Sequence, residues 1–184
     1  MFKILKIKDV IEMQPKNLGK NLKDSLLKTV KEKLENSVTR FGIILKVLNL
    51  VEHSEGKLIP LNQNIYFEVV IECLAYIPEV GEIVYGKVID ANKNGAIIRI
   101  GALDAFCHIS QITDDYMSFD EKNRIFLAKN SKKTLKIDDE VIARIISVSF
   151  EQNMFKVGLT MRQPGLGNIK WIEKEKKTKK EAKK

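Results

Sequence analysis

The chain has 184 residues, of which 44% are hydrophobic and 30% charged, and its formal net charge is +8. This length suits one large domain or two small ones, and the apolar fraction is typical of a folded protein and excludes wholesale disorder. No apolar run approaches the ~20 residues that a membrane span needs. The N-terminus also lacks the apolar core of a signal peptide. We therefore expect a cytoplasmic protein without a membrane partner.

The first 80 residues are predicted to form a small domain of strands and one helix. The alternating segment FKILKIKDVIEM predicts a strand, and a loop from Gln14 to Lys20 follows it. A helix is expected from about Leu22 to Glu35, because Asn21 can cap it and its apolar residues recur at helical spacing.

Two long strands, at 41–51 and 65–77, are predicted after the helix. The second has an apolar face of alternate residues, and its opposite face also carries Tyr66, Val70, Leu74 and Tyr76. A sheet that is apolar on both faces needs a cover on both. The helix can cover one face, so the other is expected to contact the second half of the chain or another protein.

From residue 81 the pattern becomes that of an all-β domain. The strand candidates are GEIVYGKVIDA, GAIIRIG, AFCHIS, DEVIARIISVSF and MFKVGLTMR. Five strands within about 80 residues predict a small closed barrel. The connection from Thr113 to Asp138 is too long for a bare loop, so a local hairpin is expected around Ile125–Ala128.

Lysines cluster in that connection and at the C-terminus. The connection carries a basic edge that is either a solvated face or a contact for nucleic acid, formed by Lys129, Lys132, Lys133 and Lys136. Residues 173–184 hold seven Lys and three Glu, a net charge of +4 and half of the total. This tail is predicted to be disordered. The rest of the chain is mildly basic, which permits nucleic-acid binding without establishing it.

The cysteines and the acidic pairs do not form a recognisable metal site. Cys73 and Cys107 lie in apolar runs without a CxxC pair, which predicts buried thiols in a reducing compartment. Asp114-Asp115 and Asp138-Asp139-Glu140 come without a spaced set of further ligands. We expect no metal ion and no cofactor.

His108, one of two histidines, ends a predicted strand. It is either a satisfied structural residue or a group that faces a ligand. Asp104, His108 and Ser110 offer an acid, a base and a nucleophile, but alternation along one strand places them in a line. A catalytic triad instead holds its base between the other two groups, so we do not expect catalysis.

Several spaced motifs resemble the S1 family. They are Gly86-x-Val88, GAIIxIG from Gly95 to Gly101, DAFCHIS from Asp104 to Ser110, and Leu159-Thr160. The resemblance implies an oligonucleotide-binding barrel whose exposed strand face binds single-stranded RNA. On this chain the RNA-binding residues would be Arg99, Phe106, His108 and Lys156. Two stacking aromatics typical of the family are replaced by Asn94 and Ile97, which is expected to weaken RNA binding.

The whole chain up to about Glu173 resembles the family of the E-prime subunit of archaeal DNA-directed RNA polymerase, the counterpart of the seventh subunit of eukaryotic RNA polymerase II. The matching segments include FKILKIKDV, GKLIP (56–60), Asp114-Asp115-Tyr116 and TMRQPG (160–165). The resemblance implies an α+β fold in which a truncated ribonucleoprotein-like α/β domain (1–80) precedes an S1-type barrel with a C-terminal extension (81–172).

The same resemblance implies a non-catalytic polymerase stalk subunit. Its partners would be the F subunit of the RNA polymerase, the polymerase core, the single-stranded RNA transcript and the initiation factor TFE. The polymerase-docking residues would lie in two exposed loops, the first at Gln14–Lys20 and the second at Glu52–Asn62. They comprise Lys16, Gly19, Lys20, Gly56, Lys57, Leu58, Ile59 and Pro60. The alternative is a stand-alone S1 protein of RNA decay or translation, which would not need the F subunit.

Overall fold

The computed structural model describes residues 1–19, 21–60 and 62–181. The chain divides into two compact units, Met1–Ile77 and a second that begins at Pro78. Within the described residues, no helix is both long and apolar enough to cross a membrane.

The first unit is an antiparallel sheet with one α-helix. Its elements are β1 (Phe2–Met13), α1 (Leu22–Leu34), β2 (Val38–Thr39), β3 (Gly42–His53), β4 (Lys57–Leu58) and β5 (Ile65–Tyr76). The strands lie in the order β1-β5-β3-β2, and the short β4 also pairs with β5. Strand β5 is thus paired along both edges, with β1 on one side and with β3 and β4 on the other.

Helix α1 covers one face of this sheet. Asn21 caps it by accepting a hydrogen bond from the Lys23 N–H at 3.1 Å. Leu26, Val30 and Leu34 are buried at helical spacing and belong to one core cluster with apolar residues of β1, β3 and β5. Burial of such a side chain stabilises the fold by about 1.5–3 kcal/mol. The expected helix is therefore present, and it ends one residue early because Glu35 serves as its C-cap.

The opposite face of the sheet mixes apolar and charged residues. Phe2 and Ile4 of β1 are 56% and 63% exposed, whereas Leu74 of β5, the cross-strand partner of Ile4, is half-buried. Farther along the sheet, Lys8 forms an ion pair with Glu68 at 2.9 Å. The face is apolar at one end and ionic at the other.

The second unit is a closed barrel with an inserted sheet and a C-terminal helix. Its elements are β6 (Ile83–Asn92), β7 (Gly95–Ile100), β8 (Leu103–His108), β9 (Met117–Asp120), β10 (Ile125–Ala128), β11 (Thr134–Lys136), β12 (Glu140–Glu151), β13 (Met154–Thr160), β14 (Gly167–Asn168) and α2 (Ile169–Glu181). The barrel order is β13-β8-β7-β6-β12, and pairing of β12 with β13 closes the ring. Closure removes the exposed strand edges.

The barrel interior follows from strand alternation. Inward positions of β7 and β8 are filled by Ile98, Ile100, Ala105 and Cys107, all at most 2% exposed. Both cysteines are buried thiols, as predicted. Burial raises the pKa of Cys107 to about 12, so this thiol stays protonated and unreactive.

The long connection between β8 and β12 contains more structure than the single hairpin that the sequence suggested. Strands β9, β10 and β11 form a separate antiparallel sheet in the order β11-β10-β9. Phe126 and Leu135 of this sheet are fully buried. The segment is thereby an ordered part of the unit, because its own apolar residues provide it with a core.

The prediction that residues 173–184 are disordered was wrong for residues 173–181, because helix α2 continues through Glu181. Residues 182–184 of that prediction lie outside the described part of the chain. Lys and Glu are good helix formers, and Trp171 anchors the first turn because its side chain is 9% exposed. Lys133 also reaches the helix and pairs with Glu175 at 2.9 Å. The charged composition that suggested disorder thus belongs to a helix with an anchored first half.

Candidate nucleic-acid interface

Strands β7 and β8 present a row of side chains on the outside of the barrel. Arg99 of β7 lies opposite Asp104 of β8, Ile97 opposite Phe106, and Gly95 opposite His108. Asp104, Phe106 and His108 are exposed, whereas the residues between them are buried. The structure therefore places Arg99, Phe106 and His108 on one surface, and strand alternation explains why.

Gly95 allows the two strands to approach each other beneath His108. A Cβ atom at this position would lie 2.2 Å from the Cys107 carbonyl oxygen and 2.9 Å from the His108 Cα. Any side chain here would push β8 outward. The glycine of the S1-like motif thus sets the position of His108.

His108 is exposed and also caps the turn that follows it. Its Nδ1 accepts a hydrogen bond from the Ser110 N–H at 3.2 Å, and the Ser110 hydroxyl lies 2.8 Å from the same nitrogen. A backbone N–H can only donate, so Nδ1 is the acceptor in the bond to Ser110, and the other ring nitrogen, Nε2, takes no part in it. The structural and ligand-facing interpretations of His108 are therefore compatible, because Nδ1 caps the turn and Nε2 does not.

The same contact removes the basis for a catalytic triad. Ser110 approaches His108 at hydrogen-bond distance, but the carboxylate of Asp104 is bonded to Arg99 rather than to the imidazole. No carboxylate of the motif orients the ring as a general base requires. The geometry supports capping of the turn.

Phe106 supplies the aromatic surface of this face. It is 39% exposed, and its ring centroid lies 6.4 Å from that of His108 in an edge-to-face arrangement. On its two sides lie Ile97 of β7 and Gly158 of β13. The Phe106 ring leans over Gly95, where its Cζ lies 2.9 Å from the position of a Cβ, and the Ser147 hydroxyl lies 2.4 Å from the Cβ position at Gly158.

The cations on this face are paired with carboxylates. Arg99 donates to both carboxylate oxygens of Asp104, at 2.8 and 3.1 Å. Lys156 pairs with Glu151 at 2.5 Å, and the neighbouring Lys87 pairs with Asp138 at 2.8 Å. These bonds raise the pKa of Arg99 and of Lys87. The S1 resemblance predicted Arg99 and Lys156 for this face but not that each has an acidic partner.

Asn94, where a stacking aromatic is typical, has a structural role in the turn between β6 and β7. Its N–H donates to Asn92 Oδ1 at 3.0 Å, and its carbonyl accepts from the Ile109 N–H at 3.0 Å. The second bond ties this turn to the segment after His108. The face thus has less aromatic surface than an S1 domain with both platforms, but its turn is fixed.

The two predicted docking loops leave the same end of the first unit. Ile65, the first residue of β5, pairs with Met13 of β1 on one side and with Leu58 of β4 on the other. One loop begins where β1 ends and the other continues from β4. The register of β5 therefore brings the loops together at one tip.

The predicted docking residues differ in what they expose. Leu58 and Ile59 are 73% and 49% exposed, and Lys16, Gly19 and Pro60 are exposed as well. Lys20 lies outside the described residues. Leu18, which the sequence did not single out, is 42% exposed in the first loop. The sequence feature that could have indicated a contact role for Leu18 is that it is an apolar residue in a polar loop.

Two of the other predicted docking residues have structural partners. Lys57 pairs with Glu68 at 2.8 Å, and this bond, together with Lys8, lowers the pKa of Glu68 to about 2. Gly56 packs against β5, because a Cβ there would lie 2.6 Å from Ile65 Cγ2 and 2.9 Å from the Phe67 ring. The exposed apolar residues are thus the better candidates for direct contact.

A polar network holds the second loop against the sheet. The Glu12 carboxylate accepts from Asn64 Nδ2 at 2.5 Å and from the Tyr66 hydroxyl at 3.1 Å, and Asn62 donates to the same hydroxyl. Hydrogen bonds to its charged form lower the pKa of Glu12, with Asn64 the largest contributor. The loop is preorganised, which reduces the entropy cost of binding.

Both units match known protein families. Residues 77–155 match the S1 RNA binding domain, and residues 8–61 match the SHS2 domain found in the N terminus of Rpb7p and Rpc25p. Over 180 residues the chain is 33% identical to DNA-directed RNA polymerase subunit Rpo7 of Saccharolobus shibatae, covering 96% of this chain and all of the relative. The chain belongs to the Rpo7 family of DNA-directed RNA polymerase subunits.

Further Rpo7-family relatives cover almost the same length. Rpo7 of Sulfolobus acidocaldarius is 32% identical over 177 residues, which is 95% of this chain and 97% of the relative. The DNA-directed RNA polymerase II subunit rpb7 of Dictyostelium discoideum is 25% identical over 173 residues, which is 92% and 99%. The family and the α+β fold with an S1-type barrel are thereby confirmed.

Proposed function

We propose that this Rpo7-family chain is the non-catalytic stalk subunit of an archaeal DNA-dependent RNA polymerase, in which it binds the emerging transcript. The observation that carries the proposal is the outward row of Phe106 and His108 on an S1-type barrel, within a chain related along its whole length to polymerase subunits. Stacking on Phe106 and His108, with phosphates at Arg99 and Lys156, is the mode of binding we propose.

The paired cations define how this face binds RNA. Exposed ion pairs contribute only about 0–1 kcal/mol each, so a phosphate can replace Asp104 beside Arg99 at modest cost. The phosphate must still compensate for the ion pair that Arg99 loses with Asp104. In addition, the stacking aromatics typical of the family are absent at Asn94 and Ile97. The face is therefore expected to bind single-stranded RNA with low affinity.

The first unit is proposed to dock on the polymerase core through the tip where its two loops meet. Leu18, Leu58 and Ile59 offer exposed apolar side chains there, and the bonds of Glu12 hold the second loop in place. Preorganised apolar anchors of this kind often dominate the energy of an interface. We also propose that the chain forms a heterodimer with the polymerase F subunit, which contacts the apolar end of the open sheet face. In this role the chain assists the initiation factor TFE.

Co-expression with the F subunit, followed by capture of the core polymerase, tests this proposal. The expected result is a stable heterodimer that binds the core and that also binds a fluorescent uridine-rich RNA strand. The chain produced alone should aggregate or bind apolar dyes more strongly than the heterodimer. A monodisperse chain whose melting temperature is unchanged by the F subunit, and which binds RNA but not the core, would support the stand-alone S1 alternative instead.

A further inference from the structure

A groove made of neighbouring concavities with shared lining residues leads away from the His108 end of the barrel face. It consists of three concavities with volumes of about 370, 230 and 430 Å³. The first begins at Ile109 and Ser110, next to His108, and shares Asp114 and Arg162 with the second. The second shares Lys133 and Trp171 with the third. The groove therefore runs from the edge of the RNA face to the start of helix α2.

Two sequence blocks that the S1 fold does not require build the walls of this groove. Arg162 donates to the Asp114 carboxylate at 2.8 Å and so joins the TMRQPG and Asp114-Asp115-Tyr116 blocks. Asp115 accepts from the backbone N–H groups of Asn130 and Ser131 at 2.9 and 2.7 Å. These bonds hold the lysine-rich loop after β10 beside Tyr116.

The first concavity contains a large exposed aromatic ring. Tyr116 is 72% exposed, compared with 39% for Phe106. Its backbone carbonyl accepts from the Lys129 N–H at 3.0 Å, so the position of the main chain is fixed while the ring remains open. A ring held in this way can stack on a base, and each such contact is sequence-tolerant.

The third concavity carries an excess of positive charge. Its lining includes five lysines, at 132, 133, 136, 170 and 174, but only two carboxylates, Asp139 and Glu175. Lys170 pairs with Asp139 at 2.7 Å and Lys133 with Glu175 at 2.9 Å. Within the described part of the chain, Lys132 and Lys136 are exposed and form no direct ion pair with a carboxylate, although Lys136 lies near enough to Asp138 to help Lys87 lower the pKa of that carboxyl.

This distribution contrasts with the barrel face, where Arg99, Lys156 and Lys87 are each paired. A polyanion gains more from cations that have no competing carboxylate, because no existing ion pair has to be broken. Among the described residues, the groove thus offers a nucleic-acid backbone exposed ammonium groups without a direct ion pair, which the three cations of the barrel face do not. The aromatic surface missing at Asn94 and Ile97 is likewise available there, on Tyr116.

We propose that the groove is a second segment of the RNA path, in which Tyr116 stacks on a base beyond His108 and Lys132 and Lys136 contact the phosphates that follow. This proposal rests on the proposed function, because the strand enters the groove from the barrel face. A strand that occupies only the barrel face does not reach the lysines. Longer strands are therefore held more tightly than short ones, and with a stronger dependence on salt.

The test is a titration of single-stranded uridine-rich RNA of two lengths against the full chain in its heterodimer with the F subunit. The groove variants are Lys132→Gln/Lys136→Gln and Tyr116→Leu. The charge-matched control is Lys23→Gln/Lys28→Gln, two exposed lysines on helix α1 of the other unit. The barrel-face reference is Phe106→Ala, and thermal melts verify that all variants fold.

With the long strand, Lys132→Gln/Lys136→Gln should reduce the slope of log affinity against log salt by about 1.4, or ~0.7 for each phosphate contact. Tyr116→Leu should lower affinity about tenfold with little change in slope. The control should match the wild type, and the short strand should respond to Phe106→Ala alone.

The outcomes separate this proposal from the one on which it rests. If wild-type heterodimer bound neither strand, RNA binding itself would be refuted. If Phe106→Ala weakened binding while both groove variants bound the long strand like the wild type, the groove would not be part of the path. A lysine variant with normal RNA binding but lost binding of the polymerase core would assign the groove to a protein contact, and would also overturn the proposal.

Discussion

Arg99 and Asp104 face each other across β7 and β8, and the guanidinium donates to both carboxylate oxygens at 2.8 and 3.1 Å. The pair lies beside Phe106 on the surface that we propose for RNA. A bound phosphate and Asp104 would compete for the same donors, because a guanidinium presents its paired N–H groups in one direction. Asp104 therefore limits the contribution of Arg99 to RNA binding.

Asp104→Asn is expected to tighten single-stranded RNA binding. The substitution removes a negative charge from the face and frees Arg99 for one phosphate, which should steepen the salt dependence of log affinity by about 0.7. Arg99→Ala should have the opposite effect, flattening the slope by less than one unit. Stability should change little, since an exposed pair contributes at most about 1 kcal/mol. Equal affinity and equal salt slope for wild type and Arg99→Ala would show that Arg99 does not contact the strand.

His108 has two roles that different substitutions can separate. His108→Ala loses both the ring and the acceptor for the Ser110 N–H, so it should lower RNA affinity by about 1 kcal/mol or more. It should also lower stability by about 0.5–1.5 kcal/mol. His108→Asn keeps an acceptor for that N–H, since Asn is a good capping residue, but has no ring to stack.

RNA titrations and thermal melts of both His108 variants check these roles. We expect His108→Asn to melt close to the wild type and to bind RNA as weakly as His108→Ala. If His108→Asn bound RNA like the wild type, the imidazole would contribute only to the turn.

Local sequence patterns were sufficient to predict much of this architecture. Alternation in DAFCHIS gave the direction of Phe106, Cys107 and His108, because each strand residue faces opposite to the next. Helical spacing gave α1 with only its last residue displaced. Each of these predictions depends on near neighbours in the chain, which is why the sequence alone was enough.

Features that depend on distant contacts were not predictable in the same way. The pairing of Lys133 with Glu175 joins residues 42 positions apart, and the bond between Arg162 and Asp114 joins residues 48 apart. Helix α2 was missed because composition indicates a solvated tail, whereas the docking of Trp171 supplies the packing that stabilises its first turn. The groove follows from these contacts and could only be found in the structure.

Leu58→Ser/Ile59→Ser is expected to weaken docking on the polymerase core without weakening the pairing with the F subunit. Both side chains are exposed, at 73% and 49%, so their removal should cost little stability. Loss of two apolar anchors should reduce core affinity by about 2 kcal/mol or more. Met154→Ser, at an apolar residue that is 63% exposed in the other unit, is the matched control.

Binding of labelled heterodimer to core polymerase measures this effect. The tip assignment would be wrong if the double variant bound the core as tightly as the Met154→Ser control. If the double variant did not form the heterodimer, Leu58 and Ile59 would instead be assigned to the interface with the F subunit.

Asp115 should make the stability of the second unit fall at low pH. Its carboxylate accepts hydrogen bonds from the Ser131 N–H, the largest cause, and from the Asn130 N–H, and these hold its pKa at about 2, below the ordinary value of 3.8. A carboxyl whose pKa is lower in the folded state stabilises the fold fully above its unfolded pKa. That contribution is lost as the pH falls through the folded value.

Urea unfolding of wild type and Asp115→Asn at a series of pH values tests this linkage. The wild type should be the more stable of the two by a constant amount from pH 7 to about pH 5. The difference should shrink between about pH 4 and pH 2, because protonated Asp115 loses its charge-assisted bonds to the loop. Glu121→Gln, at an exposed carboxylate in the turn between β9 and β10, controls for the loss of a surface charge. An Asp115→Asn variant as stable as the wild type at pH 7 would mean that these bonds do not hold the lysine loop beside Tyr116.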